Sequence, residues 1–479
     1  MKKIDYIILG FILVIALLFR LYKINTPLAD LHSWRQVDTA AVARNFTRNG
    51  FDLLRPQYDD LSKEQTGYEN PEGLRLVEFP LYNAIFAWLY KTAPFVSLEI
   101  YGRLVTVFFS LIIVAVIYYL ALMEDSRAAA VIGSLAYSVL PFFVFFSRVI
   151  LPETTALSFA MMAILFMYFY SKKDEEFGIV YFVLSIICFA LSLLVKPTTI
   201  FYALTIFFLF IRKYRWNIFR KLPFYIYFIL AFIPLILWRY YISFHPEGIP
   251  ASSWLIAHVN TYEGMKNIFF RPAFFRWIFY ERMANIVFGG YLAFFFVLGL
   301  IVKPRHYLLH IILISAAAYL FTFQGGNLQH EYYQTLILPP IAIFIGVGAA
   351  FIHKNKNKFL PSVISYAILT IIFFGALAFS FYRVQEFYHY PDDLVQIASV
   401  IKTFTSPTDK IITDRLGDTT LLYLSDRKGS PADYMSLDEF KKMGYSYYVT
   451  QNSEKIASIQ EEDMYKAVYK NDKFALFKL

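Results

Sequence analysis

The sequence predicts an α-helical polytopic membrane protein of about eleven transmembrane helices, closed by a small C-terminal α/β domain outside the membrane. Three observations carry this prediction. Hydrophobic residues fill 58% of the 479 positions and charged residues only 17%, against roughly 45–50% and 25% in soluble proteins. Long apolar runs recur as far as Tyr382, separated by short loops rich in lysine and arginine. From about Phe387 the composition turns ordinary, and strand-like and helix-like segments alternate.

A spanning helix needs about 20 mainly apolar residues. The candidates run Tyr6 to Leu21, Leu98 to Leu122, Ala128 to Phe145, Ala156 to Tyr170, Ile179 to Val195, Thr199 to Ile211, Pro223 to Ile242, Ala284 to Val302, Leu308 to Phe323, Thr335 to Ile352 and Leu360 to Tyr382. The Thr199 run is short, and LYNAIFAWLY after Pro80 suits a shallow or re-entrant helix. With Lys2 and Lys3 in the cytoplasm, the inner loops are Glu124 to Arg127, Lys172 to Glu176, Arg212 to Lys221, Lys303 to His306 and His353 to Lys358. Arg212, Lys213, Arg215, Arg220, Lys221, Lys303, Arg305, Lys354, Lys356 and Lys358 then all lie inside, as the positive-inside rule requires. Arg20 and Lys23 near the outer end of the first span go against the trend, so they either snorkel or face something anionic. The first run has no small-residue cleavage site and reads as a retained span rather than a signal peptide.

These spans organise a membrane domain over 1–384, with a long first outer loop at about 23–97 bearing surface-lying helices, and an outer domain over 385–479. An odd span count puts the C-terminus outside. There PDDLVQIASVIKTF, DTTLLYLS and SLDEFKKMG read as helices, and DKIITD, YSYYVTQN and the closing YKAVYKNDKFALFKL as strands. The net charge of +9 sits mostly in the short inner loops, where topology explains it, so nucleic acid is no partner. The single cysteine, Cys188, lies in an apolar run and excludes both an internal disulfide and a cysteine-based metal site.

Chemistry concentrates on the outer side. The stretch PLADLHSWRQVDTAAVARNF, Pro27 to Phe46, packs Asp30, His32, Arg35, Gln36 and Asp38 into nine positions beside an oily span. Ser33 and Gln36 form an S-x-x-Q capping-box pattern, which predicts a helix from Trp34 to near Gly50 whose small apolar face lies along the membrane. Asp30 and His32 then precede a helix N-terminus, where free amides favour a carboxylate or an anionic substrate. A turn after Pro27 is the plainer account of Asp30, and a local ion pair with Arg35 that of Asp38. Three further clusters share the outer side: SRVILPETT with Arg148 and Glu153, VKPTT with Lys196, and FQGGNLQHEYYQ with His330, Glu331, Tyr332 and Tyr333. A carboxylate there can take a proton from an incoming hydroxyl, and Arg148 and Lys196 can offset the charge of a phosphate leaving group. Asp30, Glu153, His32 and His330 have donor atoms for a divalent metal, although no ligand spacing singles them out. No cofactor motif is present.

At these residues the chain resembles the GT-C integral-membrane glycosyltransferases, in the branch that holds protein O-mannosyltransferases and the bacterial aminoarabinose transferase of lipid A. The likeness lies in the order of features: an acid in the first outer loop, a helix ending AVARNF, the element Glu78-Phe79-Pro80-Leu81, then Arg148 and Glu153, Lys196-Pro197, and HEYYQTLILPP leading into a late span. The resemblance implies a bacterial plasma-membrane enzyme that moves a sugar from a polyprenyl phosphate to an outer-face acceptor with inversion. It implies Asp30 as the base that activates the acceptor, Glu153 as a supporting acid and Arg148 with Lys196 on the donor phosphate. His32, Arg35, Asp38, Glu78, His330, Tyr332 and Tyr333 complete the expected binding surface. The family's D-E pair is replaced here by D-L-H-S-W-R-Q, so Asp38 remains the alternative base. A transporter or flippase of a lipid-linked or small polar solute is the rival reading, and a non-catalytic scaffold a third. Transporters carry midplane polar residues and repeated halves, whereas these spans are polar mainly at their outer ends.

Overall fold

The computed structural model describes residues 1–172, 178–260, 264–265, 268, 271–358, 361–461 and 464–479. The elements follow in chain order α1 (Lys3–Arg20), α2 (Ser33–Asn49), α3 (Leu81–Thr92), α4 (Leu98–Glu124), α5 (Arg127–Val139), α6 (Pro141–Phe146), α7 (Pro152–Ser171), α8 (Gly178–Val195), α9 (Ala203–Tyr214) and α10 (Leu222–Ile242). Next come α11 (Trp254–Ala257), the antiparallel strands β1 (His258–Asn260) and β2 (Gly264–Met265), α12 (Pro272–Phe275) and a π-helical stretch at Arg276–Val287. α13 (Ala293–Ile301), α14 (Leu308–Thr322), α15 (Gln324–Gln329), α16 (Leu338–Lys354) and α17 (Ser362–Val384) follow. The C-terminal part is α18 (Asp392–Phe404), β3 (Ile411–Thr413), α19 (Thr420–Ser425), β4 (Gly429–Ser430), α20 (Leu437–Lys442), β5 (Tyr447–Thr450), α21 (Ser453–Glu461), β6 (Lys466–Lys470) and β7 (Ala475–Lys478).

The expected apolar runs fall on helices, and among the described residues six helical stretches are long and apolar enough to cross a membrane, α4, α7, α8 and α10 among them. Some runs are interrupted for local reasons. Pro141 lacks the N–H that would continue α5, so the run splits and Pro141 opens α6 instead. The run Ala284 to Val302 breaks at Gly289 and Gly290, whose φ values of +51° and +72° only glycine adopts without strain. The expected inner loop Lys172 to Glu176 lies, beyond Lys172, outside the described residues.

The chain divides into two compact units: 1–24, 103–238 and 252–386 form the first, and 25–102, 239–251 and 387–479 the second. In the first, α7 packs along α8, and α16 lies between α5 and α13. Gly133 and Gly346 let α5 and α16 touch backbone to backbone, since a Cβ on Gly133 would lie 2.9 Å from the Ala342 carbonyl oxygen. Close approach at small residues is what holds helices together where lipid supplies no hydrophobic drive. Arg20, the last residue of α1, reaches the C-terminal end of α5. It is fully buried and donates to the carbonyls of Ser138 and Tyr137 at 3.0 and 3.1 Å, satisfying the orphan end of α5.

The second unit is built on a five-stranded sheet of order β4-β3-β5-β7-β6. β4, β3 and β5 are parallel, and β7 and β6 run antiparallel to their neighbours. Helices α18 and α19 cover one face through Leu394, Ile397, Leu421 and Leu422, while α20 and α21 cover the other through Phe440, Ile456 and Ile459. The first outer loop joins this sheet directly: Leu61 N–H donates to Gly429 O at 2.8 Å and Gly429 N–H to Asp59 O at 2.9 Å, extending the β4 edge. α2 is buried along most of its length and packs against α3 and α19.

Candidate active site

Within the first unit, three of the polar clusters named by the sequence come together. Glu153 stands in the first turn of α7, Lys196 follows α8 just before Pro197, and Tyr333 lies in a 3-10 turn, Glu331–Ile337, that feeds α16. The Lys196 ammonium lies 2.6 Å from Glu153 Oε1 and 5.4 Å from the centre of the Tyr333 ring. Glu153 is only 1% exposed. Removing one member of such a pair leaves the other charge buried, at a cost of about 3–5 kcal/mol.

Aromatic rings line this place. Tyr332 and Tyr333 have ring centres 4.5 Å apart, and His330 stacks on Tyr332 at 5.4 Å with an interplanar angle of 10°. Trp254 meets His330 edge-on at 5.6 Å. Tyr319 and Tyr202 fix the segment by donating to the carbonyls of Tyr333 and Leu336 at 3.1 and 2.5 Å. Glu331 is paired with Arg282 at 3.0 Å, and that arginine also donates to the Asn327 carbonyl. Arg148 is fully buried on the chain leaving α1, where Nη1 donates to Lys23 O at 2.9 Å and the guanidinium covers the Phe145 ring. Arg103 takes the next carbonyl, Ile24 O, at 2.7 Å.

The second unit holds the remaining candidates, Asp30, His32, Arg35, Asp38 and Glu78. The capping box does not form: α2 begins at Ser33, and His32 occupies the N-cap in a left-handed conformation with φ +56° and no side-chain cap. Gln36 turns back instead, donating through Nε2 to Asp30 Oδ1 at 2.7 Å and to Leu31 O at 3.0 Å. Arg35 grips Glu78 through Nη2 at 2.6 and 2.7 Å to the two carboxylate oxygens. Asp38 takes a different arginine, Arg75, at 2.8 Å and accepts the Thr419 hydroxyl at 2.6 Å, in place of the expected local pair with Arg35. Burial pushes the Asp38 carboxyl above the usual carboxylate range against the pull of Arg75. Its neighbour Asp60 is pushed up to about 7 by burial, although the Ser62 hydroxyl and amide hydrogen-bond to it. An open cleft of about 400 Å³ lies elsewhere in this unit, between the Asp433–Leu437 loop and α21.

Among the described residues no three His, Cys, Asp or Glu side chains gather closely enough to hold a metal ion. Sequence reasoning missed Arg75, Arg103 and Arg282. Each pairs with a group far from it along the chain, and no local spacing announces such a partner.

Residues 80–240 match the model of the dolichyl-phosphate-mannose-protein mannosyltransferase family. No curated protein sequence matches the chain. Among solved structures, ArnT from Cupriavidus metallidurans bound to undecaprenyl phosphate is 15% identical, with a TM-score of 0.67 over 99% of this chain and 97% of that one. The archaeal oligosaccharyltransferase AglB from Archaeoglobus fulgidus, in complex with an inhibitory peptide and a dolichol-phosphate, is 11% identical, with a TM-score of 0.57 over 94% and 70%. The chain therefore has the GT-C fold of the integral-membrane glycosyltransferases and carries, over residues 80–240, the sequence signature of the dolichyl-phosphate-mannose-protein mannosyltransferase family.

Proposed function

We propose that this chain is a glycosyltransferase that moves a sugar from a polyprenyl-phosphate donor to an acceptor on the outer face of a bacterial plasma membrane, with its N-terminus in the cytoplasm and its C-terminus outside. The observation that carries the reading is the buried Lys196–Glu153 pair beside Tyr332 and Tyr333, drawn from three separate loops of a GT-C fold. A cation held by a carboxylate next to aromatic rings suits a phosphosugar, because an ammonium has three donors and can serve Glu153 and a phosphate oxygen together.

In this scheme Asp30 takes the proton from the acceptor hydroxyl as its oxygen attacks the anomeric carbon from the face opposite the phosphate. The bond from that carbon to the phosphate oxygen breaks, its electron pair stays on that oxygen, and the configuration inverts. Lys196 and Arg148 offset the charge the departing phosphate gains, while Glu153 holds Lys196 in place. His330, Tyr332 and Tyr333 flank the sugar, and Arg35 with Glu78 fixes the start of α2. Asp38 is the less suited base, because its carboxylate already serves Arg75 and Thr419. The donor's long lipid lies along the apolar helices, so no nucleotide-binding fold is needed.

The test is transfer of radiolabelled mannose from undecaprenyl phosphate into cell-envelope material by the purified, lipid-reconstituted chain. Asp30→Asn is expected to lower transfer by roughly a hundredfold or more, the scale of a lost general base. Glu153→Gln and Lys196→Met are expected to lower it as well. Undiminished transfer by all three variants would overturn the assignment. Efflux of label from the vesicles without any covalent product would favour a transporter.

A further inference from the structure

We infer that the C-terminal α/β part is the platform that positions the segment carrying Asp30, and that Thr419 is its positioning residue, acting through Asp38. The inference rests on the reading of Asp30 as base. Four contacts within the second unit support it. Ala29 packs into the same core as Leu394, Ile397, Ile411, Leu422 and Val449. Leu31 N–H donates to Phe387 O at 3.1 Å, so both neighbours of Asp30 in the chain are held by C-terminal residues. One turn into α2, the Thr419 hydroxyl donates to Asp38 Oδ1 at 2.6 Å. The adjacent Thr420 hydroxyl lies 2.9 Å from the Ser33 hydroxyl at the first residue of the same helix.

The division of labour is physical. Asp38 is 1% exposed and held from two sides, by Arg75 from the first outer loop and by Thr419 from the turn before α19. A carboxylate so engaged sets where α2 starts, and Gln36 on the first turn of that helix holds the Asp30 carboxylate at 2.7 Å. The order of contacts runs Thr419, Asp38, α2, Gln36, Asp30. A side chain whose reacting oxygen must meet an incoming hydroxyl within a fraction of an ångström depends on such support. On this account the acid that the sequence offers as a second base is the anchor of the first.

The experiment uses the full chain in lipid, with undecaprenyl-phosphate mannose as donor probe and envelope material as acceptor. Thr419→Val removes the hydroxyl while keeping the shape, and Thr419→Ser keeps the hydroxyl. The expected result is a fall in kcat of roughly tenfold in Thr419→Val, the scale of one hydrogen bond to a charged group. KM for the donor stays near the wild-type value, Thr419→Ser regains most of the rate, and amide exchange over residues 27–38 quickens in Thr419→Val alone. Wild-type kcat in Thr419→Val, or an equal loss in Thr419→Ser, overturns the positioning role while an inactive Asp30→Asn leaves the base reading intact. Full turnover by Asp30→Asn removes the base reading and the positioning role with it. Should Thr419→Val not fold, Thr420→Val carries the same comparison through the Ser33 contact, and wild-type kcat there overturns the proposal.

Discussion

Asp60 is a carboxyl with no exposed surface, held by the Ser62 amide at 2.8 Å, the Ser62 hydroxyl at 2.6 Å and the Tyr58 hydroxyl at 3.3 Å. Burial raises it from the ordinary value of 3.8 to about 7. Because the folded value is the higher one, the folded chain holds the proton that the unfolded chain releases between those two values. Stability therefore falls as pH rises through that window, by about 1.4 kcal/mol per unit. Asp60→Asn keeps an acceptor for Ser62 and has no charge to bury. Its thermal midpoint is expected to match the wild type near pH 4 and to exceed it increasingly up to about pH 7, then level off. A midpoint difference that does not change with pH would refute this account. The sequence showed Asp60 only as one acid among several in a long loop, because desolvation depends on what folds over a residue, and that is the β4 edge far along the chain. Asp38 teaches the same lesson. Its identity was legible in the sequence, but its partners Arg75 and Thr419 were not.

Helices were the most legible elements, since apolar runs and prolines act locally. What the sequence could not show is which face of a run meets which neighbour. α16 looked like one oily span among many, yet it is the most buried of the long apolar stretches, seated between α5 and α13. A Cβ on Gly346 would lie 2.7 Å from the Gly133 amide nitrogen, so Gly346→Val forces α5 and α16 apart. The expected loss is about 1–3 kcal/mol or more for overpacking a rigid contact. Gly10→Val is the control, because a Cβ at Gly10 meets nothing within 4 Å. Thermal unfolding in detergent should drop for Gly346→Val and hold for the control, and equal midpoints would show that the contact is slack. α2 failed differently. Its S-x-x-Q pattern is a genuine local signal, but His32 took the N-cap and Gln36 was drawn to Asp30 and Leu31 just before the helix, so one local arrangement displaced another.

At the scale of the molecule, the stretch of ordinary composition from Phe387 shares one compact unit with chain from much earlier in the sequence. The sheet and its helices are complete only with residues 25–102, which lie earlier in the chain. Arg44 shows why: within the second unit it pairs with Asp59 at 2.5 Å and Asp426 at 3.0 Å and lies 4.3 Å over the Tyr423 ring. Tyr423 in turn donates to Glu99 at 2.7 Å. No window of sequence contains both halves of these contacts, so the sequence alone leaves open whether the stretch 385–479 holds together without the first outer loop. The two views differ in what truncation after Glu386 does. If the C-terminal part were independent, residues 25–102 would keep their structure without it. The interleaved unit predicts the reverse: Ala29 loses the core it packs into, Arg44 loses Asp426 and the Tyr423 ring, Asp38 loses Thr419, and the face of α2 that packs on α19 is opened to water. Limited proteolysis of the truncated chain in lipid is expected to cut within residues 27–78 at once, under conditions where the full chain resists there. Adding back the separately expressed 387–479 stretch should restore at most part of that resistance, because its β4 edge and the α19 face of its core need the first outer loop to be covered. Equal resistance of the truncated and full chains would mean that the first outer loop folds alone, and that the contacts made by Thr419, Tyr423 and Asp426 contribute nothing to holding it.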